Sequence, residues 1–196
     1  MLRRSLIVAA ALAAALALAS VASAALVHIR VEGKTLTIFG ATEPTIVAST
    51  PLDALESAAK AGEFYAHVTT SSFGNYVDQI GFYAASGDAG WVFKVDRASP
   101  PVAADQVQLK DGDTVEWYYA TFGPNGGPPT LELFVKSGCY RVAAFDDNGK
   151  ESAAPGALLH VDGRLQKASY TGTCVGPHHG LVWATAPGAI RSNRLP

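Results

Sequence analysis

Apolar and polar residues alternate along short segments of the chain after residue 25, which is the pattern of half-buried β-strands. Leu26 to Val31 alternates, Glu32-Gly33-Lys34 predicts a turn, and Thr35 to Phe39 alternates again. This succession predicts a β-hairpin. Farther along, Trp91 to Val95 and Thr114 to Thr121 repeat the strand pattern, with aromatic side chains at alternate positions. Such strands place their aromatic residues on one face of a sheet.

One segment between these strands has helical spacing instead. Thr50 is a preferred N-cap residue, and Pro51 suits the first helical position. Apolar residues then recur on one helical face as far as Ala58. Gly62 stands where a left-handed C-cap residue is expected. We therefore predict one amphipathic helix that packs on the sheet.

The sharpest change in composition is the segment Gly123 to Pro129, which contains only glycine, proline and asparagine. It predicts an interdomain linker. Residues 130–196 then show further short strand patterns and a turn at Asp146-Asp147-Asn148-Gly149. We expect an α+β domain over residues 25–122 and a small all-β, sandwich-like domain over residues 130–196.

Both cysteines of the chain, Cys139 and Cys174, lie in the second predicted domain. An even number of cysteines in an oxidising compartment predicts that they form a disulfide. The bond would stabilise a region too small to bury a large core. Two buried free thiols are the alternative, whereas a redox pair is not favoured because there is no Cys-x-x-Cys spacing.

The N-terminus has the three parts of a secretory signal peptide. Arg3 and Arg4 are basic, the segment from Leu6 to Leu18 is apolar, and Ala22-Ser23-Ala24 forms a small-residue cleavage site. We predict cleavage after Ala24 and a secreted, extracellular or cell-envelope protein. The paired arginines leave twin-arginine export as the alternative to the general secretory route. No later apolar stretch is long enough for a transmembrane anchor.

Composition excludes several classes of protein. The chain has 196 residues, of which 48% are hydrophobic and 16% charged, so it is too apolar to be disordered. Its formal net charge is -2, which provides no basic surface for DNA or RNA. Nucleic acid is therefore not expected as a partner.

Several spaced motifs occur in the order seen in a known family. They are Gly74 to Gly81, Gly90 to Asp96, Leu109 to Asp113 and Val115 to Tyr119. Over about residues 26–122 the chain resembles the β-grasp family named for the C-terminal domain of transcobalamin and intrinsic factor. The C-terminal region resembles the small prealbumin-like modules of secreted proteins.

The first resemblance implies a mixed sheet with one helix and a surface that faces a ligand. In vertebrate relatives this domain closes over cobalamin against a large helical domain, so a corrinoid is the ligand that the resemblance implies. The helical domain is absent from this chain. Asp96-Arg97 also replaces the family's usual Asn-Gly turn. We carry over a ligand-binding fold, and the residues themselves predict no cofactor.

Aromatic residues of the predicted strands could present rings to a planar compound or a sugar, namely Trp91, Phe93, Trp117, Tyr118 and Tyr119. We select four aromatic residues as candidate ligand contacts: Tyr76, Trp91, Phe93 and Tyr118. Packing in the core is the alternative for these side chains. Tyr118 points away from its two neighbours in the strand, so we expect it to be the exposed member of that aromatic group.

Signs of catalysis or metal binding are weak. The chain has no Gly-x-Ser-x-Gly motif around a nucleophile, and its adjacent His178 and His179 do not have metal-ligand spacing. The acidic turn at Asp146 lacks the alternating ligands of a calcium loop. We therefore expect neither a metal site nor an enzyme. A hydrolase stays open as an alternative, because two catalytic carboxylates far apart in sequence can meet in the folded chain.

Taken together, these patterns predict a secreted, non-catalytic binding module with a site for a small soluble ligand on the β-grasp domain. The alternative is a structural or adhesive cell-surface protein that binds a protein or a wall polymer. A concave aromatic pocket would favour the former, and a flat polar face with exposed strand edges would favour the latter.

Overall fold

The computed structural model describes residues 24–71, 74–124 and 126–196. The predicted signal peptide, apart from residue 24, lies outside the described residues. Within them the chain is rich in β-structure, with several sheets and one helix. This agrees with the predicted β-rich architecture. No helix in the described part of the chain is long and apolar enough to cross a membrane.

The described residues of the first part of the chain form eight strands and one helix. In chain order they are β1 (Ala25–Glu32), β2 (Thr37–Phe39), β3 (Thr45–Ala48), α1 (Pro51–Ala61), β4 (Ala66–Ser71), β5 (Gly74–Ile80), β6 (Tyr83–Ala84), β7 (Ala89–Val95) and β8 (Thr114–Thr121).

Strands β1, β2, β3, β7 and β8 form one mixed sheet. Its order is β2-β1-β8-β7, and β3 also pairs with β1. Strand β1 is parallel to β8, whereas the other pairings are antiparallel. The β1–β2 pairing confirms the predicted hairpin. Strand β7 is the edge strand of this sheet, and β4, β5 and β6 form a separate antiparallel sheet.

Helix α1 begins as the sequence predicts. The Thr50 side chain accepts a hydrogen bond from the Asp53 amide at 3.1 Å, as an N-cap residue does. The prediction for the other end is wrong, because Gly62 has a φ of -100° and the left-handed residue is Glu63. Gly62 serves close packing instead, since a Cβ there would lie 2.5 Å from the Phe39 ring.

The apolar face of α1 covers one face of the mixed sheet. Leu52 and Leu55 of the helix pack with Ile29 of β1 and with Val115 and Trp117 of β8. These are the positions that the alternating and helical patterns assign to the interior. The first core is therefore built by a helix laid on a sheet, and burying these side chains is what stabilises it.

The described residues of the second part of the chain form strands, turns and loops, and no helix. They are β9 (Thr130–Lys136), β10 (Cys139–Phe145), β11 (Glu151–Ala153), β12 (Leu158–Val161), β13 (Arg164–Lys167), β14 (Thr173–Cys174) and β15 (Trp183–Thr185).

These strands form two antiparallel sheets around a second apolar cluster. One sheet contains β9, β10, β11 and β14, and the other contains β12, β13 and β15. Leu133 and Tyr140 from the first sheet meet Leu159 and Val182 in this cluster. The predicted disulfide is confirmed, because Cys139 in β10 and Cys174 in β14 are bonded to each other.

The second face of the mixed sheet is covered as well. Arg30, Glu32, Lys94, Glu116 and Tyr118 lie on this face and are all buried. The expectation that Tyr118 is exposed is therefore wrong: it is 1% exposed. Its strand alternates as predicted, but strands β9 to β15 and their connecting loops, which we call the second unit, cover the face that the sequence pattern leaves to solvent. We call the preceding part, with β1 to β8 and α1, the first unit.

The four charged residues among these five, Arg30, Glu32, Lys94 and Glu116, form what we call the buried charge layer. The Arg30 guanidinium lies 2.7 Å from the Glu116 carboxylate and donates to the Arg191 carbonyl of the second unit. Arg191 in turn pairs with Glu32 at 2.7 Å. These contacts join the two units through hydrogen-bonded charges, which can be buried only when they are paired.

Stability should fall with rising pH because of Glu116. Burial raises the pKa of its carboxyl group to about 7, with the nearby Arg30 opposing the rise. Folding therefore favours the protonated form of Glu116. The contribution of this proton to the free energy of unfolding is complete below the ordinary pKa of 4.5 and is lost as the pH rises through about 7.

We expect Glu116→Gln, which stays neutral, to remove this dependence. Between about pH 5 and pH 8, the wild type should lose on the order of 2 kcal/mol more unfolding free energy than the variant. Urea denaturation at both pH values measures the difference, with exposed Glu56→Gln as the control. Equal losses in the wild type and Glu116→Gln would contradict the prediction.

Candidate functional site

A concave pocket lies where the edge of strand β7 meets strand β5 and the loop that follows β7. Its volume is about 400 Å³, within the range of small-molecule sites. We call it the aromatic pocket because six aromatic side chains of the described residues line it: Tyr76, Trp91, Phe93, Trp117, Tyr118 and Phe122.

All four aromatic residues predicted as ligand contacts line this pocket. Tyr76 reaches it from β5, Trp91 and Phe93 from β7, and Tyr118 from β8. The alternative of core packing also applies, because Trp91 belongs to the first apolar cluster and Tyr118 is buried. The same rings therefore pack in the interior on one side and border the pocket on the other. Their role in binding a ligand stays a prediction.

The pocket exists because β7 has no strand partner beyond it in the mixed sheet. Trp91 and Phe93 point to the helix side, whereas Val92 points to the side of the second unit, and all three line the pocket. Residues from both faces of a strand can border one cavity only where the cavity wraps around an edge. The position of β7 at the sheet edge thus determines the position of the pocket.

The two indole rings are held in place by hydrogen bonds to the protein. Trp91 Nε1 donates to the Tyr83 carbonyl at 2.7 Å, and Trp117 Nε1 donates to the Pro51 carbonyl at 3.0 Å. Phe93 lies against Trp117 with ring centroids 5.2 Å apart. Since an indole has a single N–H donor, both rings offer the pocket only their apolar and π surfaces.

The polar groups of the pocket are few. Asn75 is occupied on both sides of its amide: it donates to Asp105 at 2.9 Å and accepts from Thr70 at 2.8 Å. Ser99 and Asp147 complete the polar side chains with Tyr118. Among the described lining residues there is no lysine, arginine or histidine, so the one group there that is charged at neutral pH is the Asp147 carboxylate.

Asp147 comes from the second unit. It lies in the turn between β10 and β11, where Asp146 accepts hydrogen bonds from the Asn148 and Lys150 amides at 2.9 Å. The turn docks on the first unit, because the Ser99 amide donates to the Asp147 carbonyl at 2.8 Å. The hairpin turn that the sequence predicts is therefore present, and its second residue also borders the pocket.

Sequence reasoning included Trp117 in the possible stacking platform, and Trp117 lines the pocket. It missed Phe122 and Asp147 as pocket residues. Asp147 carried no signal in the sequence for this position, because its place at the pocket depends on how the second unit docks on the first. Burial and the neighbouring Asp147 together raise the pKa of Tyr118, so its hydroxyl stays protonated and can donate to the carboxylate at 3.5 Å.

The described histidines do not belong to any group of potential ligands large enough to hold a metal ion. His178 contacts the Gly180 carbonyl through Nδ1 and the Tyr140 hydroxyl through Nε2, so both of its ring nitrogens have protein partners. In the part of the chain that the structure describes, no group of three or more histidine, cysteine or acidic residues could hold a metal ion. The expectations of no metal site and no catalytic group stay predictions.

In a comparison with known protein families, residues 48–121 match the model of a family described as a domain of unknown function, DUF4430. The match runs from the end of β3 to the end of β8, so it includes five of the six pocket aromatics and ends just before Phe122. It does not reach the second unit or Asp147. The more specific resemblance to the transcobalamin family is not confirmed by this match.

Curated proteins contain no match to this chain. Among solved structures, one match is a protein from Ruminococcus gnavus that is described as a candidate metal binding protein. It is 16% identical, the match covers 48% of this chain and 95% of that chain, and the TM-score is 0.36.

Proposed function

We propose that the protein is a secreted, non-catalytic binding module whose aromatic pocket takes a small ligand. The observation that carries this proposal is the pocket itself: about 400 Å³ of concave space lined by six aromatic side chains and few polar ones. Small-molecule sites have this size and composition. The disulfide between Cys139 and Cys174 supports secretion, because such bonds persist in oxidising compartments.

The β-grasp classification belongs to the same proposal. It is supported by the parallel pairing of β1 with β8 at the centre of a mixed sheet, and by the single described helix that covers one face of that sheet. In this arrangement the edge strand β7 stays open to a ligand. We extend the proposal to a ligand-binding β-grasp domain joined to a disulfide-bonded β-unit.

A thermal-shift screen tests the proposal. The purified protein is melted with small aromatic compounds, corrinoids, haem, sugars and divalent metals. A compound that binds the native state raises the melting temperature. The stabilisation grows with the logarithm of the ratio of its concentration to its Kd and is about 2.7 kcal/mol at 100 times the Kd. We expect stabilisation by compounds that carry an aromatic or flat apolar group.

The variant Tyr76→Ala shows whether a compound occupies the aromatic pocket. Tyr76 is half exposed, so its removal should leave the free energy of unfolding within about 0.5 kcal/mol of the wild type. Losing one ring from the pocket wall should weaken binding by roughly 1 kcal/mol, about fivefold, measured by calorimetry.

Tyr65→Ala is the matched control. Tyr65 is equally exposed but does not line the aromatic pocket, so this variant should bind as the wild type does. Equal weakening by both variants would place the compound elsewhere on the protein. If no compound in the screen gives stabilisation that depends on Tyr76, the proposal fails in favour of an adhesive or structural protein.

A further inference from the structure

We propose that the ligand of the aromatic pocket is an organic cation: a flat apolar compound bearing a protonated amine, which pairs with Asp147. This inference rests on the proposed function, because it names the chemistry of the compound that the same pocket takes. Three features of the pocket carry it, namely the sign of its charge, the free capacity of the carboxylate and the surface that the rings present.

The charged side chain of the pocket lining is acidic. Among the described lining residues, Asp147 is the one whose side chain is charged at neutral pH, and its side chain is 40% exposed. The buried Lys94 ammonium lies 3.9 Å from this carboxylate but does not line the pocket. A carboxylate that borders an apolar cavity attracts a cation and repels an anion more strongly than it would in bulk water, because the surrounding dielectric is lower. An anionic ligand would find no basic side chain to pair with among the described lining residues.

The nearest cation of the protein does not use up this carboxylate. Lys94 Nζ lies 3.9 Å from Asp147 Oδ1, beyond hydrogen-bond distance. Its ammonium donates instead to the carbonyls of Phe145 and Asp146, at 2.8 and 2.9 Å, and to the Thr130 hydroxyl at 3.3 Å. An ammonium has three donors, so those of Lys94 are committed to other acceptors.

The remaining side-chain contacts of Asp147 with the described residues are long. The Tyr118 hydroxyl donates to Oδ1 at 3.5 Å, and the Gly127 amide donates to Oδ2 at 3.4 Å, both well beyond the usual length of about 2.9 Å. A carboxylate offers about four acceptor sites. Asp147 can therefore accept a short, charge-assisted hydrogen bond from a ligand without losing an essential contact of its own.

The rings favour the same sign of charge. The face of an aromatic ring carries negative potential and attracts ammonium groups, most strongly for tryptophan. Trp91 and Trp117 have donated their N–H groups to the protein, so they offer the pocket no hydrogen-bond donor for an anion. Apolar walls that suit a flat ring system, with one carboxylate at their border, are complementary to an aromatic amine.

Three indole compounds that differ in one group test the inference. Tryptamine is a cation at pH 7, tryptophol replaces its amine by a hydroxyl group, and indole-3-acetate is an anion. Isothermal titration calorimetry of the purified protein should show that tryptamine binds about tenfold tighter than tryptophol. Indole-3-acetate should bind more weakly than both.

The variant Asp147→Asn keeps the shape of the side chain and removes its charge. We expect it to abolish the advantage of tryptamine over tryptophol while leaving the affinity for tryptophol within about twofold of the wild type. Glu56→Gln removes an exposed acid of helix α1 that does not line the aromatic pocket, so it controls for net charge and should leave the advantage intact.

The outcomes separate this inference from the proposed function. Equal binding of tryptamine and tryptophol by the wild type overturns the inference and leaves a ligand-binding pocket in place. The inference is also overturned, and the proposed function kept, if none of the three indoles binds but another compound gives stabilisation that depends on Tyr76. If no compound does so, both proposals fail. The comparison within the wild type decides the matter even if Asp147→Asn does not fold.

Discussion

Replacing Cys139 and Cys174 together by alanine should lower the free energy of unfolding by about 3 to 4 kcal/mol. The disulfide closes a loop with a sequence separation of 35 and ties strand β14 to the side of β10. In the chain-entropy model, opening a loop of this length gives the unfolded chain that much additional freedom. The second unit has little else to compensate, because its apolar cluster is small.

Denaturant unfolding followed by circular dichroism measures this loss. The wild type treated with a reducing agent should unfold at the same denaturant concentration as the double variant, since both lack the same bond. Trp183 reports on the second unit, whereas Trp91 and Trp117 report on the first, so fluorescence shows which unit is affected. A loss below about 1 kcal/mol would show that the bond does not limit the unfolded chain as the entropy model requires.

The second large effect is expected at the buried charge layer. Arg30→Met should destabilise the protein by about 3 to 5 kcal/mol, because methionine fills much of the space but leaves acidic partners without a counter-ion. Arg30 is 2% exposed and lies within ion-pair distance of both Glu116 and Glu43. It also donates to the Leu131 carbonyl of the second unit, so its loss weakens the docking of the two units.

An exposed ion pair of the same chain provides the control. Arg141 pairs with Glu151 on the surface of the second unit, and Arg141→Met should cost no more than about 1 kcal/mol. The double variant Arg30→Met/Glu116→Gln should recover part of the stability lost in Arg30→Met, because it leaves one fewer buried acid unpaired. Urea denaturation at neutral pH compares all three. Equal losses for the two arginine variants would contradict the assignment of Arg30 to a buried, structural role.

Local patterns predicted most of the individual elements. The β1–β2 hairpin, the start of α1 at Pro51 and the strands β7 and β8 follow from alternation, helical spacing and the N-cap at Thr50. Each of these signals acts between residues close in sequence, so it can be read before any tertiary contact is known. The end of α1 was read less well, because Gly62 is required by the nearby Phe39 ring rather than by its own backbone conformation.

The aromatic pocket was predicted in part. Tyr76, Trp91, Phe93 and Tyr118 were selected as aromatic residues of predicted strands, and all four border the cavity. Their selection did not require knowing the docking of the second unit. Predicting the full boundary of the cavity did require knowing that docking, since Asp147 and the turn that carries it reach the first unit only in the folded chain.

The positions of the predicted strands and helix, their apolar faces and the two cysteines available for the disulfide all follow from the amino-acid sequence. These properties depend on periodicity and on residue type, which need no information about distant parts of the chain. The tertiary structure alone decided that Tyr118 and the charged residues beside it are buried, and that Asp147 stands at the aromatic pocket. Alternation separates the two faces of a strand but does not say what covers each face, because that depends on the packing of a second unit far away in sequence.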